Sequence, residues 1–409
     1  MYLADLHIHS RYSRATSRDL TLPVLDQWGR RKGIGLLATG DFTHPAWRAE
    51  MREQLIPAED GLYRLREDLA VDDPAGAGAE PPRFVVSGEI STIYKKKEKT
   101  RKVHSVILLP SLEAADALAA RLESIGNLHS DGRPILGMDC RDLLEIALEV
   151  CEQTIMIPAH IWTPHFSVLG EFSNFSSIEA CFEDMARYIH AVETGLSSDP
   201  PMNWRLSMLD RYQLVSNSDA HSPAKLGREA NILFGERSFP DLKRAIERGE
   251  GLEGTIEFFP QEGKYHLDGH RKCGVCLTPG EASLLGNVCP VCGKKLTVGV
   301  LHRVEELADR PEGYCPPHAK PYERLVPLSE VIAASMGWAA SGVRVQRKYL
   351  ELLAQLGPEF TILRELELEE IAKKAGEEIA QGIARMRAGQ IVCEPGFDGE
   401  YGKIALFAR

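Results

Sequence analysis

The feature that most constrains the fold is a repeated pattern in residues 1–255, where short apolar runs alternate with amphipathic helical stretches. This alternation is typical of a parallel α/β fold, in which a helix follows each strand and covers the sheet. The predicted strands span residues 2–10, 33–42, 83–91, 103–110, 154–161, 189–195 and 214–222. Helices are predicted between them, most clearly over 112–125 and 141–151, where apolar residues recur at spacings of three and four.

The predicted strands carry side chains that bind metals. Alternate side chains of a strand share a face, so His7 and His9 in the first strand are expected to point together with Asp5. The groups near the strand ends are, in order, His7, His9, Asp41, Glu89, His104, His160, Glu193, Asp219 and His221. Because barrel strands end at one mouth, a metal cluster is predicted there, the alternative being scattered core histidines bonded to backbone carbonyls.

The motifs DLHIHS, TGDFTHP, GEIS, KVHSVIL, PAHIWTP and NSDAHSP resemble those of the PHP family of metal-dependent phosphoesterases. The resemblance implies a distorted (β/α)7 barrel with up to three divalent ions at its mouth. It implies one ion at His7, His9, Glu89 and Asp219, a second at Glu89, His104 and His160, and a contribution of Asp41 and His221 to a third. Glu89 and Asp219 are the residues on which catalysis is expected to depend most.

A further histidine that many members of that family carry shortly after H-x-H is missing from RYSRATS. Either His44 is a substitute or the third metal site is weak, while His165 and Glu193 are either further ligands or polar contacts at the rim of the site. Mixed imidazole and carboxylate ligands favour zinc or manganese over magnesium. Adjacent divalent ions activate water and stabilise both oxygens of an in-line displacement at phosphorus, so a phosphate ester is the predicted substrate.

Four cysteines form a second predicted metal site. Cys273, Cys276, Cys289 and Cys292 are arranged as C-x-x-C, twelve residues, then C-x-x-C. Four thiolates with this spacing predict a structural zinc ribbon, whereas a redox pair would need only one C-x-x-C. The total of nine cysteines without a regular pattern argues against a secreted disulfide framework. Zinc ribbons often contact nucleic acid or protein, although many serve only as a structural staple.

The run KKKEKTRK lies between Glu89 and His104 and is strongly basic. At the mouth of a phosphoesterase it would meet the phosphates that flank the scissile one, the alternative being a solvated loop. Its basic residues are Lys95, Lys96, Lys97, Lys99, Arg101 and Lys102. All six are candidates for DNA contacts.

Aromatic residues follow His160, and two of them, Trp162 and Phe166, are candidates for contact with DNA. A base inside a duplex must be flipped out to be read, and a pocket with stacking groups is expected for it. Phe172 and Phe175 lie in the same segment. Local packing in a barrel loop is the alternative for all four.

Three domains are predicted: a metallophosphoesterase barrel over residues 1–255, a zinc ribbon region over 262–323 and a small helical C-terminal domain over 324–409. In the last, Ser341 is the predicted N-cap of a helix, and two later helices are predicted to join at Gly376. Those two helices are either a helix-hairpin-helix or part of an amphipathic bundle.

The order of these segments, over nearly the whole chain, resembles the endonuclease Q family. The resemblance implies a DNA repair endonuclease that cuts 5′ to a deaminated base (uracil, hypoxanthine or xanthine) or an abasic site, leaving a 3′ hydroxyl and a 5′ phosphate. Damaged double- or single-stranded DNA would be the substrate and a sliding clamp a candidate partner. The alternatives are a small-molecule phosphomonoesterase of the histidinol phosphatase kind and a non-catalytic DNA-repair scaffold.

Composition limits the other classes of function. The net charge of −11 argues against a protein that coats nucleic acid or anionic membrane non-specifically. No apolar run reaches the roughly 18 residues of a membrane span, and the sequence enters a strand without a signal segment, so a cytoplasmic protein is expected. The sequence contains no P-loop, Rossmann or nucleophile-elbow motif, which leaves those three kinds of site unsupported.

Overall fold

A computed structural model describes residues 1–407 and shows a mixed α/β protein built on a central sheet. The strands are β1 (Tyr2–Asp5), β2 (Leu36–Ala38), β3 (Leu55–Pro57), β4 (Tyr63–Leu65), β5 (Arg83–Lys96), β6 (Lys99–Leu109), β7 (Ile135–Leu136), β8 (Ile155–Pro158), β9 (Ala191–Glu193), β10 (Gln213–Val215), β11 (Ala230–Leu233), β12 (Leu252–Glu257), β13 (Asp268–His270), β14 (Val275–Leu277), β15 (Tyr322–Arg324), β16 (Val392–Glu394) and β17 (Lys403–Ala405). The helices are α1 (Leu22–Lys32), α2 (Pro45–Gln54), α3 (Leu112–Glu123), α4 (Cys140–Val150), α5 (Ile178–Phe182), α6 (Pro200–Trp204), α7 (Phe239–Arg248), α8 (Pro279–Leu284), α9 (Val300–Leu307), α10 (Leu328–Met336), α11 (Val343–Leu356), α12 (Glu359–Arg364), α13 (Leu368–Ala375) and α14 (Glu377–Arg387).

Each predicted strand overlaps an observed one, namely β1, β2, β5, β6, β8, β9 and β10. Strand β2 pairs in parallel with β1 and β5, and β9 pairs in parallel with β10. The prediction of a purely parallel arrangement is wrong for β6, which is antiparallel to both β5 and β8. The reason is that β5 and β6 are joined by a two-residue turn, which can connect only antiparallel strands.

The central sheet is buried on both faces. One apolar cluster includes Leu36, Val85 and Ile157 and takes at least one residue from each of the seven strands, five of them in the central sheet and two in the separate β9–β10 pair. The neighbouring positions on the strands, such as Leu37 and Val86, belong to the larger cluster that packs against the helices. Burial on both faces explains why these strands are nearly continuous apolar runs in the sequence.

The two clearest predicted helices are observed as α3 and α4, each with a side-chain cap at its start. Helix α11 begins one residue later than predicted, because Gly342 and not Ser341 occupies the N-cap. Helices α13 and α14 meet at Gly376 as predicted, with a φ of 100° that favours glycine. Among the described residues, no helix is both long and apolar enough to cross a membrane.

A buried ion pair ties the C-terminal helices to α1. Nζ of Lys32, at the end of α1, lies 2.7 Å from Oε2 of Glu359, and both side chains are no more than 5% exposed. The hydroxyl of Tyr349 in α11 donates to the same carboxylate at 2.7 Å. The backbone N–H of Leu328 in α10 also donates to it, at 3.0 Å. One carboxylate therefore joins three C-terminal helices to the first helix of the chain.

Replacing Glu359 with leucine should lower the free energy of unfolding by about 3–5 kcal/mol, because the ammonium of Lys32 would stay buried without its partner. In the Lys32→Met/Glu359→Leu double variant no isolated charge remains, so the loss should be smaller than for Glu359→Leu alone. Urea unfolding followed by circular dichroism measures both values. A double variant as unstable as the single one would show that the ion pair does not govern this junction.

Candidate metal centre

The predicted ligands gather at or just beyond the ends of β1, β2, β8, β9 and β10, next to Glu89 and His104 in the middle of β5 and β6. His7 and His9 lie after β1 and not within it, so their placement in the first strand was wrong. Their rings are nevertheless neighbours, with centroids 5.5 Å apart. Asp5 does not join them, because its carboxylate accepts hydrogen bonds from Ser218 and from the backbone N–H of Gly227.

Three overlapping groups of side chains have the composition of metal sites. They are His7, His9 and Glu89; Glu89, His104 and His160; and His9, Asp219 and His221. Within each group the candidate ligand atoms lie within 4.8 Å of one another. Glu89 and His9 each belong to two groups, so the three groups form one continuous cluster.

Glu89 is the centre of this cluster. Its Oε1 lies 2.6 Å from Nδ1 of His104 and 3.1 Å from Nε2 of His160. The same oxygen lies 3.6 Å from Nε2 of His7, while Oε2 lies 3.5 Å from Nε2 of His9. A single carboxylate thus faces four imidazoles, which is an arrangement suited to bridging adjacent metal ions.

Asp41 lies behind the cluster, on the far side of His9. Its Oδ1 is 3.2 Å from Nδ1 of His9, and its Oδ2 accepts hydrogen bonds from the backbone N–H and the hydroxyl of Ser10. Asp41 is in none of the three groups found among the described residues. Asp41 therefore lies beside His9 rather than in one of the three groups, and its role as a metal ligand stays a prediction.

Glu193 holds His7 in the same way. Its Oε2 lies 3.0 Å from Nδ1 of His7 and accepts the backbone N–H of His160 at 2.8 Å. Its Oε1 accepts a hydrogen bond from the side-chain amide of Asn217. Nε2 of His7 then faces the cluster, buried and without a hydrogen-bond partner among the described residues. A buried imidazole nitrogen without a partner fits a bound metal ion.

Two further candidate histidines lie outside the three groups. Nε2 of His44 is within hydrogen-bond distance of the carbonyl of His129, and its ring stacks on Tyr12 with centroids 4.3 Å apart. His165 stacks on Phe172. His44 therefore does not replace the histidine missing from RYSRATS in this structure.

Three residues at the site have a positive φ, namely Asp41 (51°), His160 (29°) and Asp219 (46°). Non-glycine residues adopt this region rarely, at a cost of order 1–3 kcal/mol each. Each follows the end of a strand, where the chain turns sharply. Backbone strain is thus concentrated at the cluster, as is common at functional sites.

The cluster carries an excess of negative charge. Asp41, Glu89 and Glu193 are buried, and Asp219 is partly exposed. Burial alone would lower the pKa of His7, but the carboxylates of Glu193, Glu89 and Asp219 raise that pKa well above its usual value. Imidazoles surrounded by carboxylates in this way form a donor set that divalent cations fit, because the cations supply the missing positive charge.

Sequence reasoning missed Arg133, whose Nη1 lies 3.1 Å from Oε2 of Glu89. Its side chain is 24% exposed, so it reaches from the cluster toward solvent. The preceding Gly132 lies against Asp41, and a Cβ at this glycine would be 2.3 Å from Oδ2 of Asp41. No local motif marks Arg133, because its role depends on a loop packing against β5.

The basic run forms the tip of the β5–β6 hairpin. Lys97 and Glu98 make the two-residue turn with φ of 49° and 62°, values that such turns require and that glycine or asparagine usually supplies. Residues that are directly opposite each other in the two strands share a face of the hairpin. Ser91, two residues after Glu89, is opposite His104, and Ile93 is opposite Lys102. The face that carries Glu89 and His104 therefore continues through Lys102 to Lys95, because positions two residues apart share a face.

The other face of the hairpin is packed against the protein. Nζ of Lys96 lies 3.0 Å from carboxylate oxygens of both Asp139 and Glu183, and the guanidinium of Arg101 donates to the carbonyl of Ser173. In this structure Lys96 and Arg101 are bonded to other parts of the protein, and their contact with DNA stays a prediction. Lys95, Lys97 and Lys99 are exposed and Lys102 is partly exposed.

Of the two aromatic candidates, Trp162 is fully buried, and its indole N–H donates to the side chain of Asn203 at 2.8 Å. Its predicted contact with DNA is therefore wrong, and local packing is the correct alternative. Phe166 lies beside the cluster, its ring centroid 4.5 Å from that of His104. Nζ of Lys102 lies 5.4 Å from the ring of Phe166, on the face of the hairpin that carries the ligands.

The cysteine segment brings together three of its four predicted ligands and one that was missed. His270, Cys273, Cys289 and Cys292 have candidate ligand atoms within 4.8 Å of one another. Cys276, the fourth predicted ligand, lies outside this group. The reason is strand alternation: Cys276 is opposite Gly269 and His270 is opposite Val275, so Cys276 and His270 leave opposite faces of the β13–β14 hairpin.

Comparisons of sequence place the chain among known proteins. Residues 327–390 match the family described as the MJ0043 C-terminal domain. The chain is 31% identical to the YqxK protein of Bacillus subtilis over 98% of both chains. It is 34% identical to MJ0043 of Methanocaldococcus jannaschii over 243 residues, which are 58% of this chain and 30% of that protein.

Two solved structures are similar over almost the whole chain. One is the lesion-specific endonuclease PfuEndoQ from Pyrococcus furiosus, with a TM-score of 0.85 and 30% identity over 99% of this chain and 95% of that one. The other is an endonuclease Q complex with a 27-mer duplex that has an abasic lesion at the active site. Its TM-score is 0.84 and its identity 29%, over 99% of this chain and 96% of that one. By sequence and by fold, this chain belongs to the endonuclease Q family.

Proposed function

We propose that this protein is a metal-dependent DNA endonuclease that cuts 5′ to a deaminated base or an abasic site. The observation that carries the proposal is the continuous cluster around Glu89, in a chain whose family includes a lesion-specific endonuclease. Uracil, hypoxanthine and xanthine are the proposed bases. The duplex with an abasic lesion in a relative's active site supports duplex DNA as the substrate. Single-stranded DNA and recruitment by a sliding clamp stay predictions.

The proposed architecture is a distorted (β/α)7 barrel over residues 1–255, a zinc ribbon region over 262–323 and a helical domain over 324–409. Support for the barrel comes from the apolar cluster that takes residues from seven strands. The bridge between Ile8 and Ala220 adds support, because it brings the segments that follow β1 and β10 side by side. The barrel would then enclose that cluster, with the metal centre at its mouth.

The side chains of the cluster have separable tasks in this proposal. His7, His9, Glu89, His104, His160, Asp219 and His221 would hold zinc, manganese or magnesium, and Asp41 and Glu193 would orient the imidazoles of His9 and His7. Divalent ions bound there would lower the pKa of water and stabilise the oxygens of an in-line displacement at phosphorus. Arg133 reaches toward solvent beside Glu89 and would donate hydrogen bonds to a non-bridging oxygen of the scissile phosphate.

The central test compares labelled duplexes that differ only by uracil, hypoxanthine or an abasic site at one position. We expect a nick 5′ to each lesion that leaves a 3′ hydroxyl and requires an added divalent ion. Replacing Asp219 with asparagine should abolish the nick, because a partly exposed ligand of the cluster loses its charge. Gel analysis of the labelled strand measures all of these outcomes.

His44→Gln is the matched control for this test, because His44 lies near the mouth but outside the cluster, and it should cleave like the wild type. Equal circular dichroism spectra of the variants would show that the fold is kept. If no lesion is cut with zinc, manganese or magnesium while histidinol phosphate is hydrolysed readily, the protein is a small-molecule phosphatase. Full activity of Asp219→Asn would reject the cluster as the active site.

We further propose that the second cluster binds one structural zinc ion through His270, Cys273, Cys289 and Cys292. His270→Ala/Cys292→Ser should lower the zinc content by about one ion per chain, because two of four tetrahedral ligands are lost. Cys276→Ser is the matched control and should retain the ion, since Cys276 lies outside the group. Elemental analysis of the purified variants gives the stoichiometry. Loss of zinc in Cys276→Ser would restore the four-cysteine site.

The hairpin face that carries the ligands is the proposed path of the DNA backbone. Lys95→Gln/Lys102→Gln should weaken binding to the lesion duplex. The slope of the logarithm of the association constant against the logarithm of the salt concentration should become less steep by up to about 2, because two phosphate contacts are lost. Lys243→Gln/Lys320→Gln is the control, since neither lysine belongs to the hairpin. Fluorescence anisotropy between low and moderate salt measures the slopes. Equal slopes for the hairpin variant and the wild type would exclude this face.

A further inference from the structure

Phe172 is a large aromatic side chain that the fold leaves open to solvent. It is 55% exposed and lies in the segment between β8 and α5, after the ligand His160. Its ring stacks on that of His165, with centroids 3.9 Å apart and planes at 14°. One side of the ring is therefore covered by a parallel imidazole, while much of the rest stays open.

The segment that presents Phe172 is held firmly at several points. Nε of Arg303, in α9, donates to the carbonyl of Leu169 at 3.0 Å, and its Nη2 donates to the carbonyl of Phe175 at 3.2 Å. The backbone N–H of Lys102 donates to the hydroxyl of Ser173 at 3.2 Å. An exposed aromatic ring on a fixed backbone is ordered before any ligand binds, so that binding costs little conformational entropy.

The stacked pair is close to the metal centre. The hydroxyl of Thr163 donates to the carbonyl of His165 at 3.0 Å and lies 2.9 Å from Nδ1 of His160. Lys102 lies near both the stacked pair and the metal centre. Its Nζ is 5.4 Å from the ring of Phe166, which follows His165 in sequence, and Lys102 is on the face of the hairpin that carries Glu89 and His104. Burial, with the charges of Lys102 and Lys264, lowers the pKa of His165, which favours a neutral ring at neutral pH.

We infer that Phe172, backed by His165, is a stacking platform for a nucleobase of the substrate next to the scissile phosphate. The inference rests on the proposed function and makes Phe172 a positioning residue. Every base has a flat π face, so such a platform accepts different bases and suits an enzyme with several lesions. The lysines around it supply contacts for the backbone phosphates on either side.

The test uses the full-length protein and a duplex with one uracil and 2-aminopurine as its neighbour. Phe172→Leu keeps an apolar side chain but loses the aromatic face, so kcat/KM for nicking should fall about tenfold or more. Phe172→Trp should retain wild-type kcat/KM. Without added divalent ions the DNA is bound but not cut, and the fluorescence of its 2-aminopurine is measured. The wild type and Phe172→Trp should quench this fluorescence more than Phe172→Leu does, because only they stack an aromatic ring on the base. A purely structural role of Phe172 would not produce this difference.

Phe234→Leu is the matched control, because Phe234 is 65% exposed and follows Leu233, which pairs with Tyr2 at the opposite end of β1 from the metal centre. It should match the wild type in every measurement. If Phe172→Leu nicks and quenches like the wild type while the wild type is active, this inference is wrong and the proposed function stands. If the wild type nicks no lesion duplex, the proposed function is wrong and this inference is rejected with it.

Discussion

The candidate metal centre depends on one constraint, which is that several carboxylates are buried close to one another. Glu89 and Glu193 are each 1% exposed and Asp41 is fully buried, and such charges are costly unless they are paired or bind metal ions. The surrounding hydrogen bonds from Ser10, Asn217 and Arg133 reduce that cost. Four imidazoles then face the carboxylate of Glu89, through Nε2 in His7, His9 and His160 and through Nδ1 in His104. The arrangement is then stable only if positive charge is present between the strands, as protons or as divalent ions.

The β5–β6 hairpin carries both proposed metal ligands and lysines at the surface. Its inner part supplies Glu89 and His104, and its outer part extends the same face to Lys102 and Lys95. The segment after β8 runs along the edge of β6, where the carbonyl of Phe166 accepts the N–H of His104. The hairpin therefore carries two of the proposed ligands and the proposed phosphate contacts, and the segment that presents the stacking ring is hydrogen-bonded to it.

Helices in the C-terminal part of the chain stabilise the segments that form this surface. Arg303 of α9 holds the segment that presents Phe172, and Glu359 of α12 forms the buried pair with Lys32 of α1. Helix α9, which follows the cysteine segment in sequence, thus contacts the segment that presents Phe172.

The sequence by itself determined the seven strands from which the site is built, the clearest helices and most of the side chains that gather at the candidate metal centre, because apolar periodicity and the chemistry of imidazole and carboxylate are properties of local residues. It did not separate Glu89 and Asp219, which belong to the three groups, from Asp41 and Glu193, which lie within hydrogen-bond distance of imidazoles, since all four side chains are carboxylates. Tertiary structure decided that Lys95 is exposed while Lys96 is paired, and that Trp162 is buried. It also decided that His270 joins the three cysteines while Cys276 does not. In each case the outcome depends on which face of a strand or loop meets the rest of the protein, and that is set by packing between segments distant in the chain.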